Sequence, residues 1–401
     1  MKTSLFGYGK TTRALAKKIQ GEVTFYDDKC HKPFRDSEGY MVRPSFEFNS
    51  SYSEREIPSP GIAPTNKLIC KAKNLMSEYD YFKDLMPPSV WISGTNGKTT
   101  TTQMTQHLLK ERGAVAGGNI GTPLADLDER ASLWILETSS FTLHYTNRAK
   151  PNIYILLPIK EDHISWHGSF ESYETAKLKP LSMMEEGDIA IVPKKYDSLP
   201  SDAMIIGYED VNELSSRFEI DTKRLKFQGA FLFDAVLALL VEKILFGTVS
   251  YEKINSFVLD AHRQEEIVDA NGHLWVNDTK ATNVDATIAA LERYKERKIH
   301  LILGGDDKGV DLLELFRYLQ ILHVTTYHIG SNKKRLSKLA KEYGIDFYEC
   351  ANLHAAQKKI ATLLKREDVA LLSPAAASLD EYDSYAQRGE EFRNFVRSLG
   401  K

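Results

Sequence analysis

The sequence of 401 residues is poor in cysteine, with only three, at positions 30, 70 and 350. Three widely spaced cysteines cannot build a disulfide framework, and their spacing matches no zinc motif, so a reducing compartment is favoured. An excess of positive charge is also lacking, because 52 Lys and Arg side chains stand against 55 Asp and Glu side chains, a net charge of −3. This balance argues against binding of nucleic acid through bulk charge.

Long uninterrupted apolar runs are absent as well. The most apolar long segment, 230–246, is interrupted by Asp234, Glu242 and Lys243. Charges at the centre of a bilayer are costly, so we predict a buried amphipathic helix there rather than a membrane span. The apolar stretch at the N-terminus is too short for a signal peptide. These features predict a cytoplasmic protein that binds neither membrane nor nucleic acid.

The alternation of strands and helices restarts twice along the chain. A chain of this length suggests about two or three domains. The proline-rich stretch 57–64 is expected to be a shaped loop, Pro87-Pro88 precedes a strand over 90–92, and a third restart comes near Ala261. We predict an α/β fold of three domains in series, each on a mainly parallel sheet. Their predicted bounds are 1–88 (Rossmann-like), 89–260 (P-loop-type ATPase) and 261–401 (Rossmann-like).

A glycine loop follows the strand over 90–92 and opens a helix. Its glycines let backbone N–H groups approach a phosphate, and the helix N-terminus adds about half a positive charge. Lys98 can neutralise phosphate oxygens and the Thr99 hydroxyl is placed to bind Mg²⁺. The usual P-loop pattern has Gly where this chain has Ile92, so the loop is a variant, and a Gly-Lys turn capped by threonines is the alternative. The predicted ATP-binding residues of this loop are Gly94, Thr95, Asn96, Gly97, Lys98, Thr99 and Thr100.

Polar side chains follow two later strands. Glu137 ends the strand over 133–136, where a carboxylate points into the ligand crevice of a parallel sheet and suits Mg²⁺. His163 and His167 follow the strand over 153–157 and are plausible ligands, His163 the stronger of the two. A solvated loop glutamate and structural histidines are the alternatives. Lys177 stands at helical spacing from Glu174, so on its own it would suggest a surface ion pair with that residue.

The segment GTNGKTT resembles the ATP loop of the Mur ligase family, the ATP-dependent amide-bond ligases that build the peptide of bacterial cell-wall precursors. The resemblance extends over residues 7–395 and implies a metal-binding role for Glu137 and His163, although Ser165 stands where the family often has Asp. It also implies that Lys177 is carbamylated by CO₂ and helps to hold Mg²⁺. ATP and two Mg²⁺ ions are the expected cofactors. The expected catalytic residues are Lys98, Glu137, His163 and Lys177, and the expected metal ligands are Thr99, Glu137, His163 and carbamylated Lys177.

At the amino end, Gly7-Tyr8-Gly9 falls short of the dinucleotide pattern G-x-G-x-x-G because Thr12 replaces the last glycine. On its own this is a weak NAD signal or merely a tight turn. The resemblance instead implies a site for a UDP-linked substrate. Its expected residues are Gly9, Lys10, Thr11, Asp28, Ser59, Pro60, Gly61 and Asn119.

The last third of the chain carries two further groups of site residues. An Asp and a Lys after a strand suit nucleotide contacts, although a capped helix start is compatible with the same residues. The ATP contacts expected there are Arg263, Asp278 and Lys280. The run from Ser373 to Phe392 resembles the D-glutamate-adding members of the family and departs from the diaminopimelate- or lysine-adding ones. The implied D-glutamate contacts, which could otherwise be packing residues, are Lys308, Ser378, Leu379 and Tyr385.

The resemblance therefore implies an ATP-dependent ligase, a monomer, that joins D-glutamate to UDP-N-acetylmuramoyl-L-alanine through an acyl phosphate during peptidoglycan precursor synthesis. Two alternatives are a sibling ligase for another amino acid and a nucleotide-sugar-binding protein without ligase chemistry. One departure concerns adenine: the family usually has His-Asn-x-x-Asn where this chain has 231–235, so backbone or apolar contacts are expected to replace those side chains.

Overall fold

The computed structural model describes residues 1–400, which form three sheets in series. The chain divides into two compact units: residues 1–227 with 231–257, and residues 228–230 with the chain from Val258 onward. The first unit holds two of the sheets and the second holds one. The predicted α/β class with mainly parallel sheets is confirmed, whereas the exact domain bounds stay predictions.

The first sheet has the order β3-β4-β2-β1-β5 and is parallel except for the β3–β4 pair. Short βα connections and apolar strand residues such as Leu5 and Phe25, both fully buried, build its core. Its strands are β1 (Lys2–Phe6), β2 (Glu22–Asp27), β3 (Phe34–Arg35), β4 (Met41–Pro44) and β5 (Arg55–Pro58). The helices around it are α1 (Lys10–Ala16), α2 (Lys67–Lys71) and α3 (Glu78–Phe82).

The second sheet, in the order β11-β10-β9-β6-β8-β7, is parallel throughout. Its central strands are buried on both faces, which is why they read as continuous apolar runs. The strands are β6 (Ser89–Ser93), β7 (Ala114–Gly118), β8 (Leu133–Glu137), β9 (Ile153–Leu156), β10 (Ile189–Pro193) and β11 (Met204–Tyr208). Between β6 and residue 255 the chain has the helices α4 (Lys98–Leu109), α5 (Ser140–Tyr145), α6 (Ile164–His167), α7 (Phe170–Leu178), α8 (Val211–Arg217), α9 (Gly229–Phe246) and α10 (Tyr251–Asn255).

The third sheet lies in the second unit, in the order β12-β13-β17-β14-β15-β16, with only the β12–β13 pair antiparallel. Its strands are β12 (Glu265–Val268), β13 (Leu274–Asn277), β14 (Ile299–Gly304), β15 (Val324–Ile329), β16 (Asp346–Glu349) and β17 (Val369–Leu372). Its helices are α11 (Val284–Arg293), α12 (Leu313–Leu319), α13 (Lys333–Glu342), α14 (Leu353–Ala361) and α15 (Tyr385–Ser398). Asn283 caps α11 by accepting a hydrogen bond from the Ala286 N–H group.

One expectation of the local structure is corrected. The proline-rich stretch is not loop from its first residue, since Ile57 and Pro58 pair with β1 as the end of β5. Proline is tolerated there because β5 is an edge strand, which needs hydrogen bonds on one side only. The predicted apolar helix over 230–246 is confirmed as α9, most of whose residues are buried. Within residues 1–400, no helix combines the length and apolar character needed to cross a bilayer.

Candidate active site

The glycine loop between β6 and α4 is shaped by two residues that cannot carry a side chain. Gly94 and Gly97 have positive φ angles of 139° and 86°. A Cβ atom on Gly94 would lie 2.4 Å from Cβ of Leu157, and one on Gly97 would lie 2.8 Å from Oδ1 of Asp234. The loop is therefore packed between the end of β9 and α9, directly at the N-terminus of the 12-residue helix α4.

Lys98 begins α4 and folds back over this loop. Its Nζ atom donates to the backbone carbonyl groups of Gly94, at 3.0 Å, and Thr95, at 2.6 Å. A cationic amine beside a glycine loop at a helix N-terminus is the arrangement that binds phosphate oxygens. The predicted role of the loop in ATP binding is thus consistent with its geometry.

The hydroxyl group of Thr95 ties the phosphate loop to the neighbouring strand end. It lies 2.9 Å from the Tyr173 hydroxyl, accepts from the Lys160 N–H group at 2.9 Å, and is 3.0 Å from the Lys160 carbonyl oxygen. Tyr173 is on α7, and Lys160 follows β9. These bonds join the loops that follow β6 and β9, which are adjacent strands of the sheet.

Glu137 ends β8 and is only 4% exposed. Its Oε1 atom accepts a hydrogen bond of 2.6 Å from Nδ2 of Asn119. Its Oε2 atom is buried and has no hydrogen-bond partner within residues 1–400. A buried carboxylate oxygen without a partner is costly unless a cation or donor binds it, so Oε2 is available to a cation, and metal binding by Glu137 stays a prediction.

Lys177 is on α7 and is 1% exposed. Its Nζ atom donates to the Gly94 carbonyl oxygen at 2.7 Å and to the Ser93 hydroxyl at 3.3 Å. Burial, and next the charge of Lys98, hold the pKa of Lys177 well below its usual value, although Asp162 and Glu137 oppose this. Burial beside the phosphate loop thus shifts the amine toward its neutral form, which is the form that carbamylation by CO₂ requires.

The alternative reading of Lys177 as a surface ion-pair partner of Glu174 is wrong. Glu174 instead forms an ion pair with Lys195 at 3.2 Å and accepts a hydrogen bond from the Tyr196 hydroxyl. The reason is that the Lys177 amine is buried and turned to Ser93 and Gly94, whereas the Glu174 carboxylate is turned to the segment after β10.

The two histidines of the predicted ligand loop have different surroundings. His163 has a left-handed backbone with φ 55°, is largely exposed, and has Nε2 3.6 Å from Oδ2 of Asp162. His167 is packed among aromatic rings, its Nε2 lies 3.0 Å from the Ser140 hydroxyl, and burial lowers its pKa to about 4. His163 stays the predicted metal ligand of the two, because its ring is the accessible one.

The protein side chains alone do not form a complete metal site. Across the described residues, no three His, Cys, Asp or Glu side chains are close enough together to hold an ion. The predicted ligand set contains just two such residues, Glu137 and His163, beside Thr99 and Lys177. Phosphate oxygens and a carbamate would have to supply the remaining ligands.

A cleft of about 260 Å³ in the first unit joins residues predicted to bind the UDP-linked substrate. Its lining residues are Lys10, Thr11, Pro60, Glu78, Tyr79, Gly118, Asn119, Gly121, Pro123 and Thr142. The Lys10 amine donates to the Gly121 carbonyl group across it. Lys10, Thr11, Pro60 and Asn119 are thus brought together as predicted, and Asn119 connects this cleft to Glu137.

The other residues predicted for the UDP-linked substrate lie outside that lining. Asp28 accepts a hydrogen bond of 2.9 Å from Nδ2 of Asn66. Ser59 donates its backbone N–H to the Phe6 carbonyl, and Gly61 accepts from the Trp166 indole at 3.2 Å. Gly9 begins α1 in extended backbone and lies next to Lys10. These contacts fix the shape of the loops but do not show which ligand the loops bind.

In the second unit, three neighbouring strands bring their carboxyl ends together. Asp278 follows β13 and accepts from the Ser373 hydroxyl, which follows β17, at 2.9 Å. The loops after β14 and β17 are joined by reciprocal backbone bonds of 2.9 Å between Asp306 and Ala377. The residues predicted for ATP and those predicted for D-glutamate in this unit therefore share one sheet edge, where ligands of parallel sheets bind.

Individual groups at this edge fit binding roles. Burial raises the pKa of Asp278 to about 7, whereas the Ser373 hydroxyl lowers it. Nζ of Lys280 lies 5.2 Å from the ring centroid of Tyr385, so an expected ATP contact and an expected D-glutamate contact touch each other. Lys308 has a left-handed backbone with φ 51°, Ser378 is buried and Leu379 is exposed. Arg263 has a buried Nε with no partner within residues 1–400.

Some residues that build the site gave no motif in the sequence. Asp234 on α9 is buried, accepts a hydrogen bond of 2.7 Å from the Thr101 hydroxyl, and abuts Gly97. Arg388 on α15 is buried and donates to backbone carbonyl groups of Thr279, Gly304 and Ala376. A single charge within an apolar helix was the available signal for Asp234, because such a charge must find a buried partner.

Comparisons with known proteins agree with this geometry. Residues 92–204 match the model of the Mur ligase middle domain, and residues 262–376 match that of the Mur ligase glutamate ligase domain. A UDP-N-acetylmuramoylalanine–D-glutamate ligase of Campylobacter jejuni (serotype O:23/36, strain 81-176) is 54% identical over 100% of both chains. One of Helicobacter pylori (strain ATCC 700392 / 26695) is 47% identical over 99% of both.

Among solved structures, the MurF ligase of Thermotoga maritima in complex with ADP has a TM-score of 0.59 and 17% identity, covering 98% of this chain and 97% of its own. The UDP-N-acetylmuramate-alanine ligase MurC of the same organism has a TM-score of 0.58, also with 17% identity, covering 99% of this chain and 100% of its own. At such low identity these two structures support the fold alone.

Proposed function

Because the chain belongs to the Mur ligase family, sharing 54% of its residues with a D-glutamate ligase over its full length, we propose that it joins D-glutamate to UDP-N-acetylmuramoyl-L-alanine with hydrolysis of ATP. The reaction is a step of peptidoglycan precursor synthesis in the cytoplasm. The observation that carries the proposal is that Lys98 and Lys177 both donate to the Gly94 carbonyl of the phosphate loop, with the unpartnered oxygen of Glu137 on the adjacent strand.

The proposed reaction has two steps. The alanine carboxylate of the UDP-linked substrate attacks the γ-phosphorus of ATP. The bond from this phosphorus to the bridging oxygen breaks, so that ADP departs and an acyl phosphate remains. The D-glutamate amine then attacks the acyl carbon, loses a proton, and phosphate departs through a tetrahedral intermediate. Lys98 at the N-terminus of α4 stabilises the charge that spreads over the transferred phosphoryl group.

The residues present fit Mg²⁺. Glu137 offers a buried oxygen without a protein partner, and the neutral amine of Lys177 can become a carbamate that carries the missing negative charge. We propose Thr99, Glu137, His163 and carbamylated Lys177 as the ligands of two ions. When bound, such ions neutralise phosphate charge and polarise the phosphoryl group.

The substrates divide between the two units in this proposal. The UDP-linked substrate takes the cleft that contains Lys10, Thr11 and Asn119, and the triphosphate takes the loop after β6. D-Glutamate binds at the carboxyl edge of the third sheet, with Lys308 pairing with a carboxylate and Ser378, Leu379 and Tyr385 beside it. Arg263, Asp278 and Lys280 at the same edge contribute to nucleotide binding. We propose that the enzyme acts as a monomer.

Phosphate release tests the proposal. With ATP, Mg²⁺, UDP-N-acetylmuramoyl-L-alanine and D-glutamate all present we expect turnover, and omission of any one should abolish it. L-Alanine and meso-diaminopimelate in place of D-glutamate separate this enzyme from sibling ligases. Lys98→Ala should abolish turnover while the UDP-linked substrate still binds. A wild-type chain that binds this substrate but never releases phosphate would instead be a nucleotide-sugar-binding protein.

A further inference from the structure

Glu78 is a buried acid in the wall of the cleft that holds Lys10 and Asn119. It begins α3 and is only 6% exposed. Its carboxyl group is close to the backbone N–H groups of Leu124 and Ala125, which belong to a short 3₁₀ helix, Leu124–Asp126, packed on both α1 and α3. Its Oε1 atom is buried without a hydrogen-bond partner in the described chain.

This unpartnered oxygen points to a ligand. Backbone N–H groups satisfy part of the carboxyl group, whereas Oε1 stays unpaired although Glu78 belongs to the wall of the cleft. The cavity also contains the Lys10 amine, which suits an anionic ligand. A negatively charged Glu78 in the same cleft would repel such a ligand, whereas a neutral acid has an O–H group to donate.

We propose that Glu78 is a further substrate-binding residue, and that it binds as the neutral acid by donating its O–H to an acceptor oxygen of the anionic nucleotide-sugar. This inference rests on the proposed function, which places the UDP-linked substrate in the same cleft. It adds to that function a requirement for a proton on the enzyme when the substrate binds.

The surroundings of Glu78 favour its neutral form. Burial raises its pKa to about 8, the N–H groups of Ala125 and Leu124 lower it, and the charge of the exposed Asp126 raises it. Lys10 and Tyr79 line the same cleft, and the Lys10 amine is turned to the Gly121 carbonyl. Asp80, in the same helix as Glu78, is held by the N–H groups of residues 147–149.

The sign of the pH effect follows from the proton. If the neutral acid binds the substrate, affinity should be constant below about pH 8 and should fall above it, by up to tenfold per pH unit. By linkage, bound substrate should in turn raise the pKa of Glu78 and move the fall to higher pH. The Asp126→Asn variant removes a charge that favours the proton, so its fall should begin at lower pH.

Calorimetric titration of the full chain with UDP-N-acetylmuramoyl-L-alanine, without ATP or D-glutamate, tests this between pH 6.5 and 9.5. We expect wild type to bind the substrate with an affinity that falls above about pH 8. Glu78→Gln, which keeps an N–H donor of the same shape, should bind within about threefold of wild type at pH 7 and show no such fall. Glu78→Ala should bind at least tenfold more weakly at pH 7. ATP titrations should be unaffected in each variant.

Three results would overturn the inference. The first is loss of substrate affinity at pH 7 in Glu78→Gln, which would mean that the charged acid is needed. The second is a wild-type affinity that does not change up to pH 9.5. The third is an alkaline fall in affinity that begins at the same pH in Asp126→Asn as in wild type. Thermal melting of each variant checks that it folds. If Glu78→Ala does not fold, Glu78→Gln and Asp126→Asn still test the inference. A wild type that fails to bind the substrate at any pH contradicts the proposed function itself.

Discussion

The Lys177 amine lies between the phosphate loop and the Tyr173 ring, with Nζ 4.8 Å from the ring centroid. Its hydrogen bonds go to a carbonyl and a hydroxyl oxygen, and no acidic side chain within residues 1–400 forms an ion pair with it. A lysine that is held neutral when folded but is protonated when unfolded lowers stability at neutral pH. The site therefore keeps a destabilising residue, which a structural role does not explain and a chemical role does.

Lys177→Met should abolish ligase turnover and yet raise the free energy of unfolding at pH 7, on the order of 1 kcal/mol. The Gly94 carbonyl keeps a donor in the variant because Lys98 also reaches it. Since the pKa of Lys177 is lowered in the folded state, the wild-type penalty is lost as the pH rises toward the usual value of a lysine. The advantage of the variant should thus shrink between pH 7 and 10, as measured by denaturant unfolding in CO₂-free buffer.

Asn119 and Glu137 give a second expectation for single residues. Asn119 donates to Oε1 of Glu137 at 2.6 Å and so leaves Oε2 for a cation. Loss of a group that orients a metal ligand commonly costs tenfold to a hundredfold in metal affinity or activity. We expect Asn119→Leu to raise the Mg²⁺ concentration for half-maximal turnover by at least tenfold. A rise confined to the KM of the UDP-linked substrate would show that Asn119 acts on that substrate only.

At the scale of elements, the loop between β6 and α4 depends on glycine for two separate reasons. Gly97→Ala combines a left-handed backbone with a Cβ atom 2.8 Å from Oδ1 of Asp234 and 3.1 Å from Cδ1 of Leu157. We expect ATP-dependent turnover to fall by a hundredfold or more, because the loop must shift. Gly187→Ala is the matched control: its φ of 95° is also strained, but nothing lies within 4 Å of its Cβ. It should cost about 1 kcal/mol and leave turnover intact.

Arg388 organises the carboxyl edge of the third sheet from α15. Its guanidinium group donates to carbonyl oxygens that follow or end β13, β14 and β17, at 3.0, 3.4 and 3.2 Å. Removing it leaves buried acceptors unpaired, at about 1–3 kcal/mol each. Arg388→Leu should therefore lower the free energy of unfolding by about 3 kcal/mol and raise the KM for D-glutamate. Arg397→Leu on the exposed face of α15 should do neither, as chemical denaturation and phosphate release can show.

The elements that sequence patterns predicted are those buried on both faces. The strands over 90–92, 133–136 and 153–157 were predicted from continuous apolar runs, and β6, β8 and β9 lie there. Seven strands gave no such run: β3, β4, β5, β7, β11, β12 and β16. All but β4 are edge strands, β4 lies beside the two-residue edge strand β3, and residues of β12 alternate between partly buried and exposed positions. One-sided burial leaves too little apolar pattern to mark a strand.

The sequence likewise predicted only part of the candidate site. Glycine and lysine spacing indicated the phosphate loop, and the rule that parallel strands end at one edge brought Glu137 to it. Contacts between elements distant in sequence could not be read that way. Asp234 meets Gly97 from α9, and Glu78 reaches the N–H groups of Leu124 and Ala125 from α3, because tertiary packing joins them. Sequence gives such residues no fixed spacing from the motif that they support.

At the scale of the whole molecule, the division into two units makes an expectation about ligands. The loop after β6 and the cleft with Lys10 belong to the first unit, whereas the predicted D-glutamate contacts belong to the second. A ligand that binds only the folded state stabilises the part that holds it, by about 2.7 kcal/mol at a hundredfold excess over its Kd. Local stability should therefore respond separately to each substrate.

Amide hydrogen exchange of the full chain measures that response. The UDP-linked substrate alone should slow exchange in residues 1–88 and 114–145, which include the cleft, and leave β14 to β17 unchanged. D-Glutamate alone should slow amide exchange only beyond Val258, near 304–308 and 373–388. Lys98→Ala should erase protection of the phosphate loop by ATP but keep the effect of the UDP-linked substrate, since Lys98 is absent from that cleft. Equal protection of both units by D-glutamate alone would contradict the assignment of its contacts to the carboxyl edge of the third sheet.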